Sequence, residues 1–373
     1  MEGKILFGFI FALCLFYMCK FYRVNGFRAA TLTAEQELAR NRRVVWHLSI
    51  LLFLLGALRN MHTGTDTIFY CLKYEGVGFK YTLTDIWSKV LSSPMSEQGY
   101  YLTAKLFSYL FSSAQVWLMF LCLLFLIPCA ILIYKYSSFP PLSFTYLLAM
   151  PILIFTWQGL RQSMSMSICL IAFFYAKEKK WWQFLILSFL AFQFHRSAIV
   201  LLMVIPAMYF NADRKLYLGI FAAVFLALFN PLSINAFLLT HLGMVDKVQM
   251  YASNTSVNAV YKMFLLLLFL FAVCFTVRKE LIQKNKLNQQ FLIFSAIGVV
   301  LQLFSIVISE FFRISFYFSI FNMLLLPNAC QVLEKKYPRF PVTLCAWLLL
   351  IVSCYWAGVF DYWFAWEEGP WFS

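Results

Sequence analysis

Charged residues are scarce in this chain of 373 residues: Asp, Glu, Lys and Arg make up 12% of it, against about 25% in a typical soluble domain. Hydrophobic residues make up 62%, against about 45–50% in such a domain. One soluble core could not bury that much apolar surface, whereas a lipid bilayer accepts it. The composition excludes a water-soluble enzyme and predicts an all-α polytopic membrane protein.

The motifs of nucleotide-dependent and metal-dependent enzymes are also missing. The chain has no Walker or glycine-rich nucleotide loop, no H-x-x-x-H pair, no Asp-rich cluster and no C-x-x-C pair. The cysteines lie mostly in apolar runs, where they act as small hydrophobic residues. We therefore expect no cofactor, no bound metal and no disulfide framework.

Apolar runs separated by charged residues predict about 12 transmembrane helices. Several runs are shorter than the ~20 residues that a spanning helix prefers, so aromatic residues at the interface must extend them. The predicted spans are residues 5–19, 44–58, 115–134, 143–157, 162–176, 181–194, 197–210, 216–230, 259–277, 290–308, 314–330 and 341–360.

The net charge of +14 supports this topology. If both termini lie outside, most Lys and Arg residues fall in the inner connections and the outer face is nearly neutral, as the positive-inside rule requires. The basic excess thus indicates topology, and we expect no nucleic-acid partner. We predict a single integral membrane domain over residues 1–373 with outer loops at 59–114 and 231–258. Apolar residues at helical spacing predict amphipathic helices in both loops, lying on the membrane or packed as ordinary loop helices.

Short outer turns place arginines at membrane depth. As one helix, residues 143–176 would be about 50 Å long, well beyond the ~30 Å hydrocarbon core. We therefore expect a break near Gly159 that leaves Arg161 and Gln162 at the outer end.

A second break is expected at His195-Arg196, since such a pair at mid-bilayer would cost several kcal/mol. A third turn contains Glu310 and Arg313, which can pair if that segment is helical. Ionisable groups so placed are functional candidates. The alternative is that each arginine extends to lipid phosphates or pairs with a carboxylate.

Arginines near the outer leaflet suit a diphosphate, because guanidinium binds phosphate oxygens in a bidentate manner and stays charged. An imidazole beside them can accept a proton from a sugar hydroxyl or add to anion binding. Together these groups predict glycosyl transfer from a lipid diphosphate, in which arginines stabilise the leaving group.

Three motifs resemble those of the EpsG family of Wzy-type polysaccharide polymerases. They are Arg161-Gln162 opening a helix, Phe194-His195-Arg196-Ser197-Ala198 after an apolar run, and Gly64-Thr65-Asp66-Thr67-x-x-Tyr70 upstream. The resemblance implies a C-type glycosyltransferase-like helical fold in a bacterial inner membrane, with its active site facing the periplasm. It implies undecaprenyl-diphosphate-linked glycans as donor and acceptor, and a flippase and a chain-length regulator as further partners.

The same resemblance implies roles for individual residues. Arg161, Arg196 and Arg313 would bind the donor diphosphate. His195 is the first candidate to activate the acceptor hydroxyl, and the alternatives and further substrate contacts are Asp66, Glu310, Arg59, Gln162 and Tyr70. Two other functions stay open, a flippase or transporter of lipid-linked oligosaccharide and a membrane O-acyltransferase of surface glycans.

Overall fold

A computed structural model describes most of the chain. The described residues are 2–25, 34–64, 66–92, 98–211, 213, 217–219, 222, 257–305, 311–337, 341–357 and 362–367. Glu310, nearly all of the loop 231–258 and most of the predicted span 216–230 lie outside them. The described part is helical, with one isolated β-bridge, which agrees with the predicted all-α class.

Two compact units make up the chain, the first formed by Met1–Ile199 with Tyr337–Ser373 and the second by Val200–Lys336. The helices of the first unit are α1 (Glu2–Asn25), α2 (Ala34–Ala57), α3 (Thr67–Lys80), α4 (Leu83–Ser92), α5 (Gly99–Ser108), α6 (Ala114–Tyr136), α7 (Pro140–Ala149), α8 (Pro151–Gln158), α9 (Leu160–Ala176), α10 (Trp181–Phe194) and, after the second unit in sequence, α17 (Val342–Ala357).

The second unit contains the remaining helices. They are α11 (Val204–Ala207), α12 (Val257–Thr276), α13 (Arg278–Lys284), α14 (Leu287–Phe304), α15 (Phe311–Ser319) and α16 (Asn322–Lys336). The buried amides of Asn288 and Asn328 join α14 to α16 by a hydrogen bond of 2.9 Å. Such a bond between buried polar groups fixes the register of the two helices.

Two described helices, α6 and α14, are long and apolar enough to cross a membrane. Three helix pairs meet the same criterion only as bent spans, with bends of 56° at α7–α8, 70° at α12–α13 and 49° at α15–α16. Within the described residues this gives two spans, or up to five if each bent pair is one span. The helical, apolar character is therefore that of a membrane protein, and the count of 12 spans stays a prediction.

The predicted span 143–157 is broken into α7 and α8. The break lies at Met150, which is extended (φ −82°, ψ 145°), and Pro151 begins α8. Proline lacks the N–H that a continuous helix needs, and it disfavours helical geometry in the residue before it. Pro151 thus accounts for the bend of 56°, which the prediction of a span at 143–157 did not include.

The predicted span 197–210 also differs from a regular helix. Arg196–Met203 forms a 3-10 helix, and α11 adds only Val204–Ala207. Long 3-10 helices are uncommon because their hydrogen-bond geometry is poorer than that of an α-helix. Pro206 has no N–H to donate to the Leu202 carbonyl, so one regular α-helix cannot run through both the 3-10 helix and α11.

The break expected near Gly159 is confirmed, because α8 ends at Gln158 and α9 begins at Leu160. α9 and α10 then form an antiparallel hairpin joined by residues 177–180, where Glu178 lies 3.1 Å from Lys177 and 2.8 Å from Lys180. Hydrogen bonds from these lysines, above all from Lys180, lower the pKa of Glu178. The hairpin brings the start of α9 and the end of α10 to the same end of the unit.

The first predicted outer loop, residues 59–114, contains α3, α4 and α5. Thr82 and Asp85 form a reciprocal cap at the start of α4, in which the Thr82 backbone N–H donates to the Asp85 carboxylate at 2.8 Å and the Asp85 N–H donates to the Thr82 hydroxyl at 3.1 Å. The Thr82 hydroxyl and N–H lower the pKa of Asp85 by hydrogen bonding to its charged form. Leu106 on α5 and Tyr109 after it are exposed.

Candidate active site

A cluster of buried aromatic residues supports the predicted outer end of the α9–α10 hairpin. Trp117 donates from its indole N–H to the Tyr100 hydroxyl at 3.0 Å, and Tyr74 stacks on Trp117 with ring centroids 5.2 Å apart. Leu160 and Phe194 belong to the same buried cluster. Because these two residues directly precede Arg161 and His195, the cluster brings the first two predicted motifs to one place.

Arg161 lies in the first turn of α9, whose N-cap is Gly159. Its Nε donates to the Tyr70 hydroxyl at 3.3 Å, so the structure joins the Arg161 motif to the upstream Tyr70 motif. The N-terminus of a helix carries partial positive charge and attracts anions. A guanidinium placed there adds a full charge and donors in a fixed plane, which is a suitable arrangement for a phosphate group.

Tyr70 is held by the same cluster. Its ring meets that of Tyr100 edge to face, with centroids 5.4 Å apart. Asp66, the N-cap residue of α3, precedes Tyr70 by one helical turn and is exposed, and its carboxylate makes no capping hydrogen bond. Asp66 is therefore about 6 Å along the helix axis from Tyr70, close to the residue that contacts Arg161.

His195 ends α10 in an extended conformation (φ −154°, ψ 127°). Its Nδ1 lies 2.6 Å from the Ser197 hydroxyl and accepts a hydrogen bond from the Ser197 backbone N–H at 3.3 Å. A backbone N–H can only donate, so Nδ1 must act as the acceptor and the proton of a neutral ring is assigned to Nε2. The structure thus favours His195 as a hydrogen-bond donor through Nε2 over a base at that atom.

Arg196 and Gln162 lie beside these groups in sequence but differ in exposure. Arg196 is exposed and opens the 3-10 helix, whereas Gln162 is buried on α9. Exposure makes Arg196 accessible to a charged substrate. Gln162 packs inside the protein next to Arg161, where it can orient the start of α9.

Arg59 is buried rather than open, at 1% exposure. Its guanidinium lies 5.7 Å from the centroid of the Trp157 ring, and its Nη1 donates to the Gly56 carbonyl. Among the described residues, Arg59 Nε and Trp157 Nε1 are buried without a hydrogen-bond partner. A substrate-binding role for Arg59 stays a prediction, since any ligand would first have to reach it.

A C-terminal segment covers this arginine, and no motif or periodicity indicated this pairing. Arg59 and Phe364 form the isolated β-bridge, and the Asn60 amide donates to the Glu367 carbonyl at 2.7 Å. The Trp363 N–H donates to the Thr63 hydroxyl at 3.1 Å. These contacts attach residues 362–367 to the loop that leads to Asp66.

Arg313 lies in the second unit, in the first turn of α15. The start of α15 is fixed to α14 by buried polar groups, because the Ser315 hydroxyl donates to Gln302 Oε1 at 3.0 Å and Gln302 Nε2 donates to the Ser305 hydroxyl at 3.2 Å. Arg313 thus shares with Arg161 and Arg196 a position in the first turn of a helix. Glu310, its predicted ion-pair partner, lies outside the described residues.

Within the described residues, no group of three or more His, Cys, Asp or Glu side chains is placed to hold a metal ion.

The family model that matches this sequence is that of the EpsG family, over residues 43–366. The chain belongs to the EpsG family. Comparisons with curated proteins and with solved structures gave no match. Membership in the EpsG family indicates a membrane protein of polysaccharide biosynthesis with a polymerase type of activity.

Gly99 allows α5 to approach the end of α10. A Cβ atom at this position would lie 2.9 Å from the Gln193 carbonyl oxygen, a distance that forces one helix to move. We expect Gly99→Ala to lower the free energy of unfolding by about 1–3 kcal/mol through overpacking and to reduce activity by displacing His195. Thermal unfolding of the purified protein measures the first effect.

Gly76→Ala is the matched control, because no atom lies within 4 Å of a Cβ at Gly76 in α3. This variant should be as stable as the parent protein or more stable, since alanine favours a helix interior. Equal melting temperatures for the two alanine variants would show that α5 does not need the close approach at Gly99.

Proposed function

We propose that this protein is a polysaccharide polymerase that joins undecaprenyl-diphosphate-linked repeat units at the periplasmic face of a bacterial inner membrane. The observation that carries the proposal is the position of Arg161 and Arg196, which belong to one unit and each lie in the first turn of a helix. The helix dipole opposes a cation at that position. A bound diphosphate would offset this repulsion, because its negative charge is attracted both to the helix N-terminus and to the guanidinium.

In the proposed reaction, a sugar hydroxyl of one lipid-linked unit attacks the anomeric carbon of the glycan on a second lipid carrier. The bond between that carbon and the diphosphate oxygen breaks, and the leaving oxygen keeps the electron pair. Arg161 and Arg196 stabilise the charge that develops on the diphosphate. The products are a glycan extended by one transfer and free undecaprenyl diphosphate.

The hydroxyl proton needs an acceptor, and Asp66 is the described residue that best meets this need. Its carboxylate is exposed and is not used as a helix cap. It also precedes Tyr70, whose hydroxyl contacts Arg161 at 3.3 Å. His195, with its proton on Nε2, would donate to a phosphate or carbonyl-type oxygen of the substrate rather than take the proton. Glu310 remains the alternative base.

A deletion strain tests the proposal and separates it from transport. Cells that lack the protein should accumulate single lipid-linked repeat units in the outer leaflet, and long glycan chains should disappear. If the protein were a flippase, cells that lack it would instead accumulate these units in the inner leaflet. Leaflet location is measured by accessibility of the sugar to a membrane-impermeant lectin or glycosidase in intact spheroplasts, with the untreated parent strain as control.

A further inference from the structure

A cavity of about 500 Å³ lies in the first outer loop, between α3, α4 and α5. This volume is within the range of about 300–1,000 Å³ that small-molecule sites occupy. Aromatic rings, lysines and an amide form its walls. The residues that matter for recognition are Phe69, Lys73, Tyr81, Lys89, Gln98 and Tyr101.

The cavity is positively charged. Lys73 on α3 and Lys89 on α4 both line it, and the lining contains no carboxylate among the described residues. The nearest acidic residue of α4 in sequence, Asp85, directs its carboxylate to the hydroxyl and N–H of Thr82. Two lysines from different helices therefore line one space, and no described carboxylate lines it with them.

Aromatic rings line the same space. Lys89 Nζ lies 4.9 Å from the centroid of the Tyr81 ring, so the ring and the ammonium group form one surface. The Gln98 amide and the Tyr101 ring complete the lining. Rings with a polar edge offer an apolar face to a ligand and hydrogen-bonding groups beside it, which suits a sugar ring.

Three tyrosines in contact with one another connect the cavity lining to Arg161. The Tyr101 and Tyr100 rings are 5.6 Å apart, the Tyr100 and Tyr70 rings are 5.4 Å apart, and the Tyr70 hydroxyl accepts from Arg161 Nε at 3.3 Å. A glycan whose diphosphate lies at Arg161 can thus place a more distant sugar in this cavity.

We propose that this cavity binds an acidic sugar residue of the repeat unit, with its carboxylate between Lys73 and Lys89 and its ring against Tyr81 and Tyr101. The proposal rests on the proposed polymerase function and adds the class of its substrate, an anionic glycan. A lipid headgroup is a second source of anionic charge, but it has no sugar ring to pack against these aromatic walls.

The test measures binding without turnover. Full-length protein in phosphatidylcholine nanodiscs is titrated with a glucuronate-containing tetrasaccharide and with a neutral N-acetylglucosamine tetrasaccharide, by isothermal calorimetry. We expect the acidic tetrasaccharide to bind about tenfold more tightly or better. Lys73→Gln and Lys89→Gln should each weaken its binding about fivefold to tenfold.

Lys286→Gln, which removes the same charge from an exposed lysine of the second unit, should bind both tetrasaccharides as the parent protein does. Equal affinity for the acidic and neutral tetrasaccharides, or no loss in the Lys73 and Lys89 variants, would overturn the proposal. So would lysine-dependent enrichment of phosphatidylglycerol in mixed nanodiscs without acidic-sugar binding, which would make the cavity a lipid site.

A parallel polymerisation assay with a lipid-linked repeat unit keeps the two proposals apart. If the protein polymerises but does not prefer the acidic tetrasaccharide, only the cavity assignment fails. If it binds the acidic tetrasaccharide through these lysines but never forms polymer, the polymerase function fails and the cavity assignment stands.

Discussion

Replacing Arg161 with alanine is expected to abolish chain extension and leave single lipid-linked repeat units in the membrane. The loss should be at least about 10²–10³-fold in rate, the range seen when one donor to a developing negative charge is removed. Arg161→Lys should fail as well, because lysine keeps the charge but cannot form two parallel hydrogen bonds to a phosphate. Chain-length ladders of extracted glycan on gels measure both effects.

Arg278→Ala is a suitable control for this experiment. Arg278 also begins a helix, α13, but it belongs to a predicted inner connection and packs on Phe275 with 4.2 Å between the guanidinium carbon and the ring centroid. This variant should give normal ladders. Normal ladders from Arg161→Ala protein, shown by immunoblot to be present in the membrane, would contradict the assigned role of Arg161.

Replacing His195 should give a second large effect that depends on the new side chain. His195→Ala removes the Nε2 donor and is expected to lower the rate by about 10²-fold or more. The amide nitrogen of glutamine can reach the position of Nε2, whereas that of asparagine reaches only the position of Nδ1. His195→Gln should therefore retain more activity than His195→Asn or His195→Ala if His195 donates a hydrogen bond.

If His195 instead acts as a general base, the pattern should differ. Neither an amide side chain nor alanine can accept the proton, so all three His195 variants would then be equally inactive. Nitrogen-15 NMR of histidine-labelled protein gives an independent reading, since the two neutral tautomers differ in the shifts of Nδ1 and Nε2. The contact of Nδ1 with the Ser197 N–H at 3.3 Å predicts the Nε2–H form. Ser197→Ala keeps that N–H and removes only the hydroxyl, so its loss of activity should be smaller than that of His195→Ala.

The sequence alone predicted the two helix breaks of the site because the cost of charge in a bilayer is local and large. Arg161 and His195 could not remain at mid-membrane in unbroken helices, and the helices do end at Gln158 and Phe194. Length provided the second argument, since a helix over 143–176 would exceed the bilayer thickness. Both arguments use only the residues near each break in the sequence.

Other features depended on contacts between distant parts of the chain. The cover over Arg59 comes from Trp363 and Phe364, about three hundred residues later in sequence, and hydrogen bonds from Asn60 and Thr63 determine it. No periodicity in the sequence encodes such a pairing. The orientation of the His195 ring could not be predicted from the sequence either, because it depends on the backbone N–H of Ser197 rather than on a side-chain type.

The most direct test of the account is a reaction with two purified components, the full-length protein in nanodiscs and one lipid-linked repeat unit. We expect a ladder of glycan lengths, with one undecaprenyl diphosphate released for each new linkage and without another protein or added metal. The Arg161→Ala protein, folded as judged by its melting temperature, should give none. If the folded parent protein leaves the repeat unit unchanged while the deletion strain still lacks polymer, this chain does not catalyse the joining step.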